Sequence, residues 1–342
     1  MSAATQELTP ASRALHLFFR SLDYATHLAA LNTLGRMVRP RDPAGPRLLR
    51  NYPYLKDGSR SHLLDVWLPP PSPGPKPVVF YIHGGGFTFG SKDTHQIAGR
   101  IFSQQGYLTF VVNYRLAPKY PYPASIEDCC RALCWAWDNL EHFGGDPSRL
   151  VVGGESAGGN LTAMMAIVNS YKRPEAFARE VWDRKIPIRA AMPFCGWHDP
   201  GTPERYRGHP VLGPVVPVLQ TFTASYLGMK RPKATKEVPL VSPLPFLEHE
   251  PDRPLPPFFI PIGTRDPLLG DSRRLKKSLD QRGVEARLRQ YRGAIHAHHL
   301  FPFTKDMRQI WRDVFEFLRR PDIAGQKQAS LKAIPLRTAG SE

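Results

Sequence analysis

The stretch Leu-Val-Val-Gly-Gly-Glu-Ser-Ala-Gly-Gly at residues 150–159 runs from a short apolar segment straight into a glycine-flanked serine. Ser156 stands between Gly154 and Gly158, in the pattern Gly-x-Ser-x-Gly, and a helix-like segment follows. A serine gains reactivity at a tight strand-to-helix turn, because small neighbours permit the required backbone angles and a helix N-terminus favours negative charge. The stretch therefore predicts a strand–turn–helix elbow that presents Ser156 as a nucleophile.

The rest of the chain alternates between strand-like and helix-like segments around this elbow. Short apolar or alternating runs predict strands at residues 63–68, 77–82, 108–114, 150–153, 188–194, 258–263 and 286–291. Helical spacing of apolar residues predicts helices near 92–105, 125–143, 157–171, 271–282 and 304–320, the second with a capping box of Ser125 and Asp128. Alternation of this kind predicts an α/β fold, with a mostly parallel central sheet flanked by helices on both faces.

A histidine followed by three glycines marks the end of one predicted strand. The sequence there is His83-Gly84-Gly85-Gly86, and its glycines present backbone N–H groups without side chains in the way. Attack on a carbonyl places negative charge on its oxygen, which N–H donors fixed in advance stabilise by a few kcal/mol each. We therefore predict an oxyanion hole made by the N–H groups of Gly84, Gly85 and Ala157. The alternative is a plain glycine turn.

An acid and a base follow later strands in the order that such an elbow requires. Asp266 comes after the strand predicted at 258–263, and His296 comes after the one at 286–291. Loops that follow parallel strands leave from the same sheet edge, so both side chains are expected beside Ser156. We predict that His296 accepts the serine proton while Asp266 holds the imidazole in the productive tautomer.

Three further side chains near these candidates have simpler interpretations. Asp271 competes for the acid role, but it stands where a helix begins and is expected to be a first-turn carboxylate. His298 and His299 follow the predicted base closely and could bind a metal with it. No Cys, Asp or Glu at matching spacing supports such a site, so both histidines are expected to pack or to face solvent, and no metal is predicted.

Two segments have no place in the alternation and are predicted to cover the catalytic edge of the sheet. Residues 1–50 form an N-terminal helical lid segment, in which Thr9 and Pro10 begin an amphipathic helix over 9–33. Residues 197–239 are rich in Pro and Gly and form a lid insertion. The remaining divisions are a catalytic domain at 51–196 and 240–320 and a flexible basic tail at 321–342.

Composition and charge restrict the partners and the location. The net charge of +16 comes from basic residues scattered along the chain without a nucleic-acid-binding motif, so no nucleic-acid partner is expected, while weak attraction to anionic surfaces stays open. No apolar run reaches the ~20 residues of a membrane-spanning helix, and the N-terminus lacks the basic start of a secretory signal, which favours a cytoplasmic location. The four cysteines are expected to be buried thiols.

Several further motifs stand in register with the elbow. They are Tyr114-Arg115-Leu116-Ala117-Pro118 followed by Pro121, Pro123, Glu127 and Asp128, then Gly159 and Asn160, Ser242-Pro243-Leu244, Leu255-Pro256-Pro257 and Asp266-Pro267-Leu268. With the HGGG and GxSxG motifs, they make residues 60–320 resemble the hormone-sensitive-lipase-like branch of the α/β-hydrolase superfamily. The chain departs from that pattern at Lys119, where an acidic residue is common, and at Ala297-His298, where Gly-Phe is usual.

The resemblance implies an α/β-hydrolase fold of about eight strands, with a lid from the N-terminus and from an insertion after the sixth strand. It implies a serine carboxylesterase that hydrolyses short- to medium-chain carboxylic esters of small molecules through an acyl-enzyme intermediate, without a metal or organic cofactor. An amide or N-acyl deacylase with the same triad is the alternative. A ligand-binding receptor on an inactive scaffold is a further one, although the predicted triad is complete. Arg115 is implied to pair structurally with Glu127 or Asp128.

Overall fold

An open sheet forms the centre of the protein. The computed structural model describes residues 44–208, 213, 216–228, 238–301 and 305–325. The strands are β1 (Arg47–Pro53), β2 (Leu63–Leu68), β3 (Lys76–Ile82), β4 (Leu108–Val112), β5 (Gly145–Glu155), β6 (Ile188–Phe194), β7 (Phe258–Gly263) and β8 (Ala286–Tyr291). They form one eight-stranded sheet in the order β1-β2-β4-β3-β5-β6-β7-β8. The β1–β2 and β2–β4 pairs are antiparallel and the others are parallel, which confirms the predicted fold class.

The central strands are buried on both faces, which explains their uninterrupted apolar sequences. Phe80 of β3 pairs with Phe110 of β4 on one side and with Val152 of β5 on the other, and all three side chains are fully buried. Full burial of one such side chain contributes about 1.5–3 kcal/mol. The apolar pattern predicts every strand except β1, because this edge strand, RLLRNYP, is polar and largely exposed.

Helices cover the sheet. They are α1 (Gln96–Gln104), α2 (Ala124–Asn139), α3 (Ala157–Ser170), α4 (Ala176–Arg184), α5 (Val216–Leu227), α6 (Leu269–Gln281), α7 (Lys305–Leu318) and α8 (Pro321–Ala324). The sequence pattern does not predict α4, a nine-residue helix that buries Phe177, Ala178 and Val181 against α2 and α3. The segment is short and carries charged residues on its opposite face, so its apolar spacing is not evident from the sequence.

The capping box predicted at the start of α2 is not formed. The helix begins after Pro123, and no side-chain hydrogen bond caps it. The Asp128 carboxylate instead accepts from Arg115, at 2.8 Å from Nε and 2.7 Å from Nη2, while Glu127 accepts from Nη2 at 2.8 Å. Bidentate, charge-assisted hydrogen bonds are stronger than a neutral cap. The structural pairing of Arg115 implied by the resemblance is therefore present.

The two chain ends match the sequence predictions only in part. The predicted N-terminal helix over 9–33 lies outside the described residues. The tail was predicted from residue 321 onwards, but residues Pro321–Ala324 form α8, in which Ile323 and Ala324 are buried. The domain boundary therefore moves to the end of this helix, because its two apolar side chains have a place in the core.

One buried carboxylate makes several of the contacts that anchor the described part of the insertion to the sheet domain. Asp271 lies in the first turn of α6, as its sequence position indicates. Its carboxylate accepts from Arg205 Nη2 at 2.5 Å and Tyr206 Oη at 2.7 Å, and from the backbone N–H of Asp199 at 3.0 Å. All three donors belong to the insertion, so Asp271 holds its first part in place.

We expect Asp271→Ala to lower the free energy of unfolding by about 3 kcal/mol, because it leaves the guanidinium of Arg205 without its closest carboxylate. That side chain is only 21% exposed. Urea unfolding measures the change. Asp280→Ala is the control, since Asp280 lies on the same helix and pairs with Lys276 at the surface. It should cost less than about 0.5 kcal/mol. Equal unfolding midpoints for the two variants would contradict the anchoring role.

Candidate active site

Ser156 lies in a sharp turn between β5 and α3. Its backbone angles are φ 57° and ψ −116°, outside the usual regions for a side chain with a Cβ. A Cβ on Gly154 would lie 2.4 Å from the carbonyl oxygen of Ile82, and one on Gly158 would lie 2.1 Å from the same oxygen. Neither position can hold a side chain, so the two glycines are what lets the turn sit against β3.

Asp266 and His296 meet at the same edge of the sheet. Asp266 follows β7 and His296 follows β8, and Nδ1 of the imidazole lies 3.1 and 3.0 Å from the two carboxylate oxygens. The Asp266 carboxylate is completely buried and also accepts the N–H of Leu268 at 2.8 Å. The imidazole is 34% exposed. A fixed buried carboxylate thus holds a ring whose other side faces outward.

The pKa of His296 results from opposed effects. Burial disfavours the charged imidazole, but the neighbouring Cys195 sulfur and the Asp266 carboxylate outweigh it and hold the pKa well above its ordinary value of 6.5. A raised pKa makes the ring a stronger base once it is deprotonated. It also means that a larger fraction of the molecules carries a protonated His296 ring at neutral pH.

Cys195 is a neighbour of this pair that sequence reasoning missed. It is the first residue after β6, is fully buried, and has a positive φ of 38°. Its N–H donates to the carbonyl of Pro261 in β7 at 3.0 Å, which turns the chain at the sheet edge. Burial raises the pKa of its thiol. No local motif could have indicated this contact, because it arises only when β6, β7 and β8 lie side by side.

The glycine loop lies against the nucleophile, but one predicted donor is already engaged. A Cβ on Gly84 would lie 3.2 Å from Cβ of Ser156. The N–H of Gly84 donates to Oε1 of Glu155, which is at odds with the prediction that Gly84 is an oxyanion donor. The N–H groups of Gly85 and Gly86 have no hydrogen-bond acceptor among the described residues. Gly85 has a φ of +111°, which disfavours any residue with a side chain. A Cβ there would also lie 2.0 Å from the carbonyl oxygen of Phe89.

Glu155 fixes this loop from beneath. Its carboxylate is buried, accepts from Tyr81 Oη at 2.6 Å, and lies 2.9 Å from Nε2 of His95. Burial opposes its charge, but His95 and Tyr81 more than offset this and lower the pKa of Glu155 to about 2. A permanent carboxylate therefore binds the Gly84 N–H. Its place between Gly154 and Ser156 in the elbow motif was the only sequence signal for this role.

The two histidines after the predicted base are both buried. His298 Nδ1 lies 3.0 Å from the carbonyl of Ile295. His299 stacks on Phe194 with ring centroids 4.6 Å apart, and burial lowers its pKa to about 3, so it stays neutral. Of the two alternatives, packing and exposure, the structure shows packing for both.

Helix α5 of the insertion lies over the glycine loop. Tyr226 stacks on Phe87 with ring centroids 3.8 Å apart, and a Cβ on Gly86 would lie 3.4 Å from the ring of Phe222. The insertion thus contacts the segment that faces Ser156.

The protein combines an α/β sheet, a serine in a strand–turn–helix elbow, and an imidazole–carboxylate pair at one edge of the sheet. These features place it in the class of proteins whose nucleophile lies in such an elbow. The family described as alpha/beta hydrolase fold matches residues 79–300, and the chain belongs to this family. The resemblance drawn from the motifs is thereby confirmed.

Relatives named as esterases are similar to parts of the chain. Carboxylesterase NlhH of Mycobacterium tuberculosis is 46% identical over 111 residues, 32% of this chain and 35% of that protein. Esterase LipQ of the same species is 29% identical over 267 residues, 76% of this chain and 60% of that protein. The matched part of the chain spans less than two thirds of either relative.

Solved structures show the same fold. Esterase B from Lactobacillus rhamnosis superposes with a TM-score of 0.74 at 19% identity, covering 93% of this chain and 99% of that one. An esterase from Pyrobaculum calidifontis superposes with a TM-score of 0.67 at 24% identity, covering 93% and 95%. At these identities the likeness concerns the fold. Within the described residues, no helix is long and apolar enough to cross a membrane.

Proposed function

We propose that the protein is a serine carboxylesterase that hydrolyses short- to medium-chain carboxylic esters through an acyl-enzyme intermediate. The observation that carries the proposal is the Asp266–His296 pair at the sheet edge where the Ser156 elbow lies. The esterase names of NlhH and LipQ support it.

In the proposed reaction, Ser156 Oγ attacks the ester carbonyl while Nε2 of His296 takes the hydroxyl proton. Asp266 stabilises the imidazolium that forms. The imidazolium then gives its proton to the leaving alkoxide, and the acyl group stays on Ser156. Water, deprotonated by the same imidazole, releases the acid and restores the serine. The chain's own side chains and N–H groups suffice for these steps.

For the developing oxyanion we propose the N–H groups of Gly85, Gly86 and Ala157. Gly84 is replaced in this set because Glu155 holds its N–H. Ala157 is the first residue of α3, whose N-terminus adds a partial positive charge at this point. Three converging donors suit a tetrahedral oxyanion.

The raised pKa of His296 sets the expected pH dependence. Because the base must be neutral to accept the serine proton, kcat/KM should fall as the pH drops through this raised pKa. The acidic limb should therefore lie above pH 6.5. Measuring kcat/KM from about pH 5 to about pH 9 tests this. A limb below 6.5 would show that burial, not the neighbouring sulfur and carboxylate, dominates the imidazole.

The substrate range is part of the proposal. We propose that residues 197–239 act as a lid, since α5 packs on the glycine loop through Phe222 and Tyr226. A covered site favours small acyl groups. A series of p-nitrophenyl esters from acetate to decanoate should give its highest kcat/KM among the short and medium members. If none of these esters were hydrolysed, that result would contradict the esterase assignment.

Amide hydrolysis is the second candidate. Arylacetamide deacetylase of Bos taurus is 46% identical over 93 residues, which are 26% of this chain and 23% of that protein. A matched pair of substrates, phenyl acetate and acetanilide, separates the two activities because only the leaving group differs. We expect the ester to be the better substrate, and a higher kcat/KM on the anilide would reverse the order of the candidates.

A further inference from the structure

A buried sulfur completes a cluster of three different donors beside the active-site imidazole. The donor atoms of Cys195, Asp266 and His296 all lie within 4.8 Å of one another. They follow β6, β7 and β8, which are neighbours in the sheet, so each strand delivers one donor to the same edge. No other such group of three is found in the part of the chain that the structure describes.

We propose that Cys195, Asp266 and His296 bind Zn²⁺, and that the bound ion reversibly inhibits the enzyme. Thiolate, imidazole and carboxylate are the ligand types that zinc takes in proteins. Bond lengths of about 2.0–2.3 Å in a tetrahedral site place ligand atoms roughly 3.3–3.7 Å apart. Nδ1 of His296 is already 3.0 Å from Oδ2 of Asp266, so side-chain shifts on the order of 1 Å would form the site.

Burial of the cluster gives an ion one way in. The Cys195 sulfur and the Asp266 carboxylate are fully buried, whereas the His296 ring is 34% exposed. An ion arriving from the outer side meets the imidazole first, and a water molecule can complete its fourth position. In the sequence, the only residues close to His296 that suggest a metal site with it are His298 and His299. The structure supplies the cysteine and the carboxylate from distant segments instead.

Zinc would remove the base by changing its tautomer. In the proposed reaction Nδ1–H of His296 faces Asp266, and Nε2 is free to take the Ser156 proton. An ion bound at Nδ1 moves that proton to Nε2, and the thiol of Cys195 loses its proton to solvent as the Zn–S bond forms. An Nε2 that carries a proton cannot accept another from serine. The inhibition rests on the proposed esterase function, whereas the binding does not.

Binding to the full-length chain is the first measurement. Titration with Cd²⁺ should produce the near-ultraviolet thiolate-to-metal absorption of one ion per chain in the wild type. Equilibrium dialysis with Zn²⁺ should show Cys195→Ser binding at least about tenfold more weakly than wild type. Cys134→Ser is the matched control, because Cys134 is a buried thiol on α2. It should bind like the wild type.

Hydrolysis of p-nitrophenyl acetate is the second measurement. Zinc should inhibit the wild type and Cys134→Ser, and EDTA should restore both, while Cys195→Ser should resist at least about tenfold higher zinc. A wild type without the cadmium band, or equal zinc affinity in both serine variants, overturns the site. Bound zinc that leaves hydrolysis unchanged overturns the inhibition. Metal-free enzyme without hydrolysis would contradict the esterase proposal alone, since cadmium binding is read independently.

Discussion

Replacing Ser156 with alanine is expected to lower ester hydrolysis by roughly 10⁴-fold to 10⁶-fold, close to the loss seen when the nucleophile of a serine hydrolase is removed. The change deletes one oxygen from a turn whose shape is set by Gly154 and Gly158, so the fold should persist. Without the hydroxyl, no acyl-enzyme can form, and only binding and the oxyanion donors remain to accelerate attack by water.

A fluorophosphonate probe tests the same residue without relying on turnover. The probe forms a bond from phosphorus to Ser156 Oγ and releases fluoride, so it should label the wild type and not Ser156→Ala. Ser170→Ala is the control, because Ser170 ends the same helix α3 and its hydroxyl donates to the carbonyl of Pro254 at 3.2 Å. Full labelling of Ser156→Ala would remove the nucleophile assignment, whereas an unlabelled wild type would reopen the receptor alternative.

The sheet could be predicted from sequence where its strands are buried on both faces. For β7 the bounds match the apolar run residue for residue, because no polar position interrupts it and all six residues are buried. The bounds of β6 and β8 also match the predicted ones, although Arg189 interrupts the first strand and Arg287 and Arg289 alternate with apolar residues in the second. Because these strands are parallel, the residues that follow their carboxyl ends lie at the same edge of the sheet. This is why the sequence alone predicts that Asp266 and His296, 30 residues apart, lie close together.

Contacts between loops could not be predicted in this way. The N–H of Gly84 donates to the carboxylate of Glu155, 71 residues further along the chain. Only the folded loop shows that this donor already has an acceptor. Cys195 reads as one more buried thiol until β8 places an imidazole beside it. Asp271 has a valid local explanation as a first-turn carboxylate, which conceals its second role in holding the insertion. Each of these contacts depends on a partner residue whose position no sequence periodicity indicates.

Replacement of His296 by alanine is expected to lower kcat by about 10⁴-fold or more. The ring is the only imidazole among the described residues that contacts the Asp266 carboxylate, so no neighbouring ring can take over its proton transfer. Asp266→Asn should be nearly as damaging, because an amide favours the wrong imidazole tautomer and does not stabilise the imidazolium.

The controls are the two histidines that follow. His298→Ala and His299→Ala remove buried rings that pack against Tyr291 and Phe194, so they should lower the urea midpoint while kcat of the folded fraction falls less than about tenfold. Free imidazole gives a readout that a structural role would not move. The His296 ring is 34% exposed, so its removal leaves a site open to solvent, and added imidazole should restore part of the activity of His296→Ala. Rescue of His298→Ala in its place would transfer the base to that residue, at the position where the chain departs from the Gly-Phe pattern of the family.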